Sequence, residues 1–344
     1  MGTILRNIYF ELSGSCNLSC HHCYIFADKK KQARADRLSP RTIERVLVEG
    51  KAIGLTECTF TGGEILLRQD LLEILSISSA IVSKINLLTN LTLLSTDHVD
   101  CFKRLPIGIV STSIDGIGDV HDSFRGRKGS FQKTFANLIL LRDAGVPVKA
   151  SVTVGNHNLH QAGDIFALLR QEQIPFSIAR ISPVGRGSAL ASDHDGEFDE
   201  AYTKLLAREL GRVISLTDIL NSAAPSEIVN NHCGVGIDIL YVMSDGRVGF
   251  CPTLAPFVSG KFEIGDVTKT SLIDLWDNGR VLSAVSSVCA NQTKCLHGKV
   301  CKSGCRANAY ALTGDIQACD TEMRTAFDQL SVDTKKAVLA YPVV

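Results

Sequence analysis

The sequence predicts an α/β chain with a parallel sheet and helical crossovers, followed by a smaller cysteine-rich domain. Three observations carry this reading. Six β-branched runs alternate with helix-like segments from residue 4 to about residue 182. The chain changes character across Pro183–Asn231. Beyond Cys233 it becomes rich in cysteine.

The strand candidates are Ile4–Leu12, Thr56–Thr61, Lys84–Thr89, Ile107–Ile114, Pro147–Val154 and Pro175–Ser182. Between them run amphipathic stretches such as Pro40–Ile53, Asp70–Val82, Phe131–Ala144 and Leu159–Gln171. Pro40 behind Ser39 reads as a first helical residue behind its cap, and Gly145 behind Ala144 reads as a helix stop. Whether the sheet stays open or curves into part of a barrel, ligands gather at the carboxyl ends of the strands. Gly185, Gly187 and Ser188, then a charged helical stretch Glu197–Val213, read as a bridge. Short strands Ile237–Met243 and Val248–Phe250 flank a Ser244-Asp245-Gly246 turn. The tail from Val332 to Val344 carries no functional signal.

With 344 residues, the chain is long enough for one large domain and a smaller one. Its 36 basic residues balance 36 acidic ones, so no net field recruits nucleic acid or an anionic membrane. No apolar run reaches the roughly 20 residues needed to span a bilayer. The first residues, Met1-Gly2-Thr3-Ile4-Leu5-Arg6, do not read as a signal peptide, so the cytoplasm is the expected compartment.

Of twelve cysteines, three fall within residues 16–23 and seven between Cys233 and Cys319. Only Cys58 and Cys101 stand between, and they read as small core residues. In a reducing compartment such clusters point to metal or redox chemistry rather than disulfides. Cys16-Asn17-Leu18-Ser19-Cys20-His21-His22-Cys23 has the spacing C-x3-C-x2-C directly after the first strand. Three soft thiolates can hold three irons of a cubane and leave the fourth open. A zinc site completed by His21 or His22 is the competing reading of these residues alone. Gly62-Gly63-Glu64, after the second strand, offers backbone carbonyls and one carboxylate suited to an ammonium group.

Together, C-x3-C-x2-C after the first strand and Gly-Gly-Glu after the second resemble the radical S-adenosylmethionine superfamily. The resemblance covers residues 5 to about 190 and implies a partial (β/α)6 TIM-like barrel. It also implies a [4Fe–4S] cluster on Cys16, Cys20 and Cys23 whose open iron chelates S-adenosylmethionine, which one electron splits to a 5′-deoxyadenosyl radical. By the same resemblance His22 neighbours the adenine, and Gly62, Gly63 and Glu64 take the methionine ammonium. Thr89 and Asn90 match a third-strand Thr-Asn-Gly motif in which Leu91 replaces the glycine, and Ile65 stands where a proline commonly follows the glutamate. Ser113-Ile114-Asp115-Gly116 resembles the fourth-strand motif, which implies that Ser113 touches S-adenosylmethionine, and Arg125 in Phe124-Arg125-Gly126 resembles the partner that grips the methionine carboxylate. Asp115 itself reads as a turn-former.

The later cysteines, Cys233, Cys251, Cys295, Cys301, Cys305 and Cys319, with Ile264-Gly265-Asp266-Val267 and Trp276, resemble the SPASM extension. That resemblance implies one or two auxiliary [4Fe–4S] clusters. Cys233, Cys251 and Cys305 would hold the first; Cys295, Cys301 and Cys319 the second. Cys289 would stand in for the cysteine that the pattern places at Gln292. A zinc knuckle drawing on His232 and His297 is the competing reading. The implied domains are residues 1–190 for the barrel, 191–231 for a helical bridge, 232–330 for the SPASM-like domain and 331–344 for the tail.

Relatives with this extension mostly modify peptides or proteins, so the expected function is a radical oxidoreductase that matures a peptide by crosslinking, thioether formation or epimerisation. Sulfatase-type maturation is disfavoured because Pro252 and Thr253 follow Cys251. The first strand begins by residue 4, so leader recognition would fall to a separate partner or the substrate would lack a leader; a flavodoxin or ferredoxin would donate electrons. The alternatives are side-chain processing of a tetrapyrrole and, in another class, a noncatalytic iron–sulfur or zinc scaffold. Tyr24, Tyr241, Tyr310 and Cys101 are chemically able to relay a radical, but the sequence singles out no catalytic acid, base or relay.

Overall fold

A computed structural model describes residues 4–25, 36–192, 196–213, 238–254, 262–277, 289 and 304–321. Six parallel strands form the predicted series: β1 (Asn7–Ser13), β2 (Glu57–Gly62), β3 (Lys84–Leu88), β4 (Ile107–Ser113), β5 (Val148–Val154) and β6 (Phe176–Arg180). Helices α1 (Pro40–Ala52), α2 (Leu71–Ile81), α3 (Thr96–Arg104), α4 (Asp119–Arg125), α5 (Ser130–Asp143) and α6 (Ala162–Gln171) occupy the crossovers. A short α7 (Gly187–Ser192) follows β6. The strands run in spatial order β6-β5-β4-β3-β2-β1, the unclosed barrel of a partial (β/α)6 fold.

Local chemistry sets the helix ends. The Ser39 hydroxyl accepts the Thr42 N–H at 3.1 Å, and Pro40 opens α1 where its missing N–H costs nothing. Gly145 takes φ +77° just beyond α5, the left-handed stop its position suggested. Helix α3, absent from the elements read off the sequence, starts from a capping box between Ser95 and His98.

The two sheet faces differ in chemistry. Val148, Ala150, Val152 and Val154 of β5 are buried on the helix-facing side, where Phe166 of α6 stacks on Phe176 of β6 at 5.1 Å. The opposite face, lining the barrel interior, carries Ser111 and Ser113 of β4, Lys149, Ser151 and Thr153 of β5, and Ser177 of β6. Register aligns them: Ser111 faces Lys149, Ser113 faces Ser151, and Ser151 faces Ser177.

The chain divides into compact units elsewhere than the sequence suggested. Residues 1–191 and 235–285 form one unit; residues 192–234 and 286–344 form the other. The cause is sheet pairing. Strand β7 (Ile239–Val242), expected in a separate domain, pairs in parallel with β1; β8 (Arg247–Gly249) and β9 (Glu263–Asp266) continue the sheet antiparallel. Paired on one side by β2, β1 would otherwise leave a row of backbone groups unsatisfied. Helix α9 (Leu272–Asp277), after α8 (Gly196–Val213) of the second unit, also belongs to the barrel unit; it buries Leu272, Leu275 and Trp276. The second unit contains α8 and α10 (Arg306–Thr313).

Candidate active site

The three-cysteine loop leaves the carboxyl end of β1 and is tied down on four sides. Toward β2, the Gly63 N–H donates to the Ser13 carbonyl at 2.7 Å and the Glu64 N–H to the Ser15 carbonyl at 2.9 Å. A Cβ on Gly63 would lie 2.1 Å from the Ser15 oxygen, so only glycine allows this approach one residue before Cys16. Toward β3, Asn90 Nδ2 donates to Asn17 Oδ1 at 2.9 Å, and Asn17 Nδ2 donates to Thr92 Oγ1 at 2.8 Å. Toward α4, Ser19 and His21 donate backbone N–H groups to the carbonyls of Arg125 and Phe124 at 3.1 and 2.9 Å. After β6, the Arg186 N–H reaches the Cys23 carbonyl at 3.1 Å. Gly185, at φ +61°, leaves no room there: a Cβ would meet that same oxygen at 2.8 Å.

Cys16, Cys20 and Cys23 are free, partly exposed thiols on this loop. Among the described residues no three Cys, His, Asp or Glu side chains converge on a single-ion site. Thiolates of a cubane each hold a different iron and need no common point. Burial pushes the Cys16 thiol up to about 12, against the pull of the Leu18 N–H; the neighbouring Cys20, Glu64 and Cys23 add to the rise.

Glu64 is 1% exposed. Its Oε1 accepts Leu66 N–H at 3.0 Å and Thr89 Oγ1 at 2.5 Å, and its Oε2 accepts Asn90 N–H at 2.7 Å. Burial raises its pKa, and these three donors partly offset the rise. A carboxylate offers about four acceptor positions, so one on Oε2 remains for an ammonium group. Thr89 and Asn90 thus hold the carboxylate. Leu91, where the family motif has glycine, adopts φ +61°, the conformation glycine takes without strain. Its fully buried side chain and the Asn137 Nδ2 bond to its carbonyl, 2.7 Å, hold it there.

Arg125 and Asp115 form a buried ion pair, 8% and 0% exposed. Arg125 Nη1 also donates to Cys20 Sγ at 3.4 Å. Burial alone would raise the Asp115 carboxyl; the Arg125 guanidinium, with His22, His121 and the Thr153 N–H, outweighs it and holds the group below the usual carboxylate range. The His22 ring stacks on Phe124 at 4.7 Å, which stacks in turn on His157 at 3.5 Å. Ser113 ends β4 on the interior face. Sequence reasoning missed Asp115 as an ion-pair partner, and it missed Asn17, Thr92 and His157. The one available signal was Asp115 and Arg125 lying ten residues apart around a short helix, too common a pattern to single out.

Burial drives the pKa of both His121 and His157 down to about 4. Both bind a proton more readily unfolded, near 6.5, so this contribution to stability is complete above that value and is lost as pH falls through 4. The melting temperature of the chain should therefore drop between pH 6.5 and 4. Replacing His121 by Asn should flatten that slope, and an unchanged slope would show that the histidine is not buried neutral.

Of the C-terminal cysteines, Cys233, Cys295 and Cys301 lie outside the described residues. In the barrel unit, Cys251 is partly exposed, and its Sγ accepts the Thr253 N–H at 3.3 Å. In the other unit, Cys289 is buried, and Cys305 and Cys319 are partly exposed. Buried Asp320 accepts the Cys305 N–H at 2.7 Å, and Arg306 Nη1 bonds the carbonyls of Ile316 and Ala318 at 2.9 and 2.8 Å. These bonds fold the chain around α10 and bring the segments bearing Cys305 and Cys319 together.

A cysteine loop at the carboxyl edge of a partial parallel barrel, braced by a buried Gly-Gly-Glu turn, defines the class of iron–sulfur enzymes that cleave S-adenosylmethionine. The comparisons agree. Residues 10–169 match the Radical SAM superfamily, and residues 233–306 match the iron–sulfur cluster-binding domain SPASM. The chain belongs to the radical S-adenosylmethionine superfamily and carries the SPASM extension. It is 28% identical to the AdoMet-dependent heme synthase of Methanosarcina barkeri, over 90% of this chain and 93% of that protein. It is 27% identical to the antilisterial bacteriocin subtilosin biosynthesis protein AlbA of Bacillus subtilis, over 78% of this chain and 59% of that one. The solved structure of native anSMEcpe with bound AdoMet and Kp18Cys peptide shares the fold, with TM-score 0.72 and 18% identity, covering 97% of this chain and 98% of that one.

Proposed function

We propose that this radical S-adenosylmethionine enzyme matures a peptide or protein. The observation that carries the reading is the interior wall of β4–β6, where five hydroxyls and one lysine outnumber the apolar Ile109 and Ala179. Hydroxyls and an ammonium can pair with a peptide's amides and carboxylates; a tetrapyrrole could use them for its carboxylates alone and would want a broad apolar face for its ring. The likeness to the bacteriocin biosynthesis protein and the peptide held by the solved relative support the same direction.

In this reading Cys16, Cys20 and Cys23 hold the [4Fe–4S] cluster. Cys233, Cys251, Cys289, Cys295, Cys301, Cys305 and Cys319 supply ligands for one or two auxiliary clusters. The cluster, when bound, supplies the electron that splits S-adenosylmethionine. Glu64 offers its remaining acceptor to the methionine ammonium, along with the carbonyls of Gly62 and Gly63. Ser113 and the ring of His22 line the space for the rest of the molecule. Substrate reaching Ser113 and Thr153, at the carboxyl ends of β4 and β5, would sit on the side of the sheet from which the cysteine loop springs, which is the placement that hydrogen abstraction requires. A flavodoxin or ferredoxin supplies electrons. Among the described residues no helix is long and apolar enough to cross a membrane.

A second reading is tetrapyrrole side-chain processing. It is favoured by the near end-to-end match with the heme synthase, where the bacteriocin protein is matched over 59% of its length. Reduced, cluster-reconstituted enzyme with S-adenosylmethionine should change the mass of a peptide encoded beside its gene and leave iron–coproporphyrin III intact. Turnover of the porphyrin with no change in any such peptide reverses the assignment.

A further inference from the structure

We propose that Asp115 and Arg125 form a relay that sets the reduction potential of the N-terminal cluster, with Arg125 acting on Cys20 and Asp115 acting through Arg125. The family resemblance gives Arg125 a different task, gripping the methionine carboxylate. In this chain its guanidinium is engaged on two sides within the protein. Nη1 donates to Cys20 Sγ at 3.4 Å, and Nη2 pairs with Asp115 Oδ2.

Asp115 is built into place. Its Oδ1 accepts the Thr153 N–H at 3.0 Å, its carbonyl accepts Asn158 Nδ2 at 3.0 Å, and its N–H meets His121 Nδ1 at 3.2 Å. Those bonds tie the end of β4 to β5 and to the loop after it. The carboxylate cannot swing away, so it fixes which edge of the guanidinium faces the thiol. The backbone carbonyls of Phe124 and Arg125 hold the cysteine loop from the same helix end, so the N–H and the sulfur are positioned together.

The electrostatic consequence has a definite sign. Reduction adds one negative charge to a cluster, and an N–H or a cation at a ligand sulfur stabilises that charge. Arg125 therefore raises the potential. Asp115, a negative charge behind the guanidinium, lowers it while keeping Arg125 oriented. In an interior of low effective dielectric neither influence is screened as it would be at a surface.

The test is an EPR-monitored redox titration of the reconstituted full chain without S-adenosylmethionine, the N-terminal signal being identified by its loss in Cys20→Ala. Arg125→Gln should shift the oxidised-to-reduced ratio about tenfold toward oxidised, about 59 mV downward for one electron. Asp115→Asn should move it the opposite way. The double variant leaves no orphaned buried charge and should fold even if a single one does not. Its potential should lie below that of the unmodified protein and above that of Arg125→Gln, because it loses the cation at the sulfur together with the more distant carboxylate. An unchanged potential in Arg125→Gln or in the double variant, or shifts of the same sign in both single variants, overturns the relay. Weakened S-adenosylmethionine binding at an unchanged potential would make Arg125 a carboxylate clamp alone.

Discussion

Replacing Cys20 by Ala should reduce anaerobic, dithionite-driven release of 5′-deoxyadenosine on the order of a thousandfold or more, to background. Cys20 is the middle thiol of the loop and the partner of Arg125, so the substitution removes one of the three thiols proposed to hold the cluster and leaves a buried guanidinium facing a methyl group. The fold itself should survive, because the backbone of the loop is held by Ser19 and His21 rather than by the thiol. Iron content and 5′-deoxyadenosine, measured on the same preparation, check this. Substantial cleavage by the variant would remove the N-terminal cysteines from the chemistry.

Glu64→Ala should cost stability as well as cofactor affinity. Three donors, the N–H groups of Leu66 and Asn90 and the Thr89 hydroxyl, lose their acceptor in a site closed to solvent. Each orphaned donor costs roughly 1–3 kcal/mol, partly offset by no longer burying a charge, for a net loss of about 3 kcal/mol. Glu64→Gln keeps one carbonyl oxygen but sets an amide N–H₂ against one of the donors, so an intermediate loss is expected. Urea unfolding of the three proteins measures the series. Identical midpoints would mean that the carboxylate is not the anchor of the turn.

The six-strand core was legible because strand and helix periods differ and each βα unit states its own boundaries. Pro40 behind Ser39 and Gly145 behind Ala144 mark helix ends through local chemistry, so they read correctly from neighbours alone. The cysteine loop and the Gly-Gly-Glu turn were legible because their spacings are rare. What stayed hidden depends on contacts distant in sequence. Asn17 meets Asn90 across 73 residues, and Tyr241 of β7 donates to the buried Glu11 of β1 across 230. The pairing of β7 with β1 leaves no trace in either segment, since an apolar run looks the same in any sheet. Asp115 was read as a turn residue because its position, not its neighbours, makes it a counter-ion.

The seventh strand has one more consequence. Because it flanks the strand from which the cysteine loop springs, a fragment ending near residue 190 would lay that strand's outer margin bare to other chains, an invitation to intermolecular stacking. The segment matching the superfamily and the segment matching its extension are therefore not separable cassettes. Cutting between them would disturb the very strand that presents the first thiol.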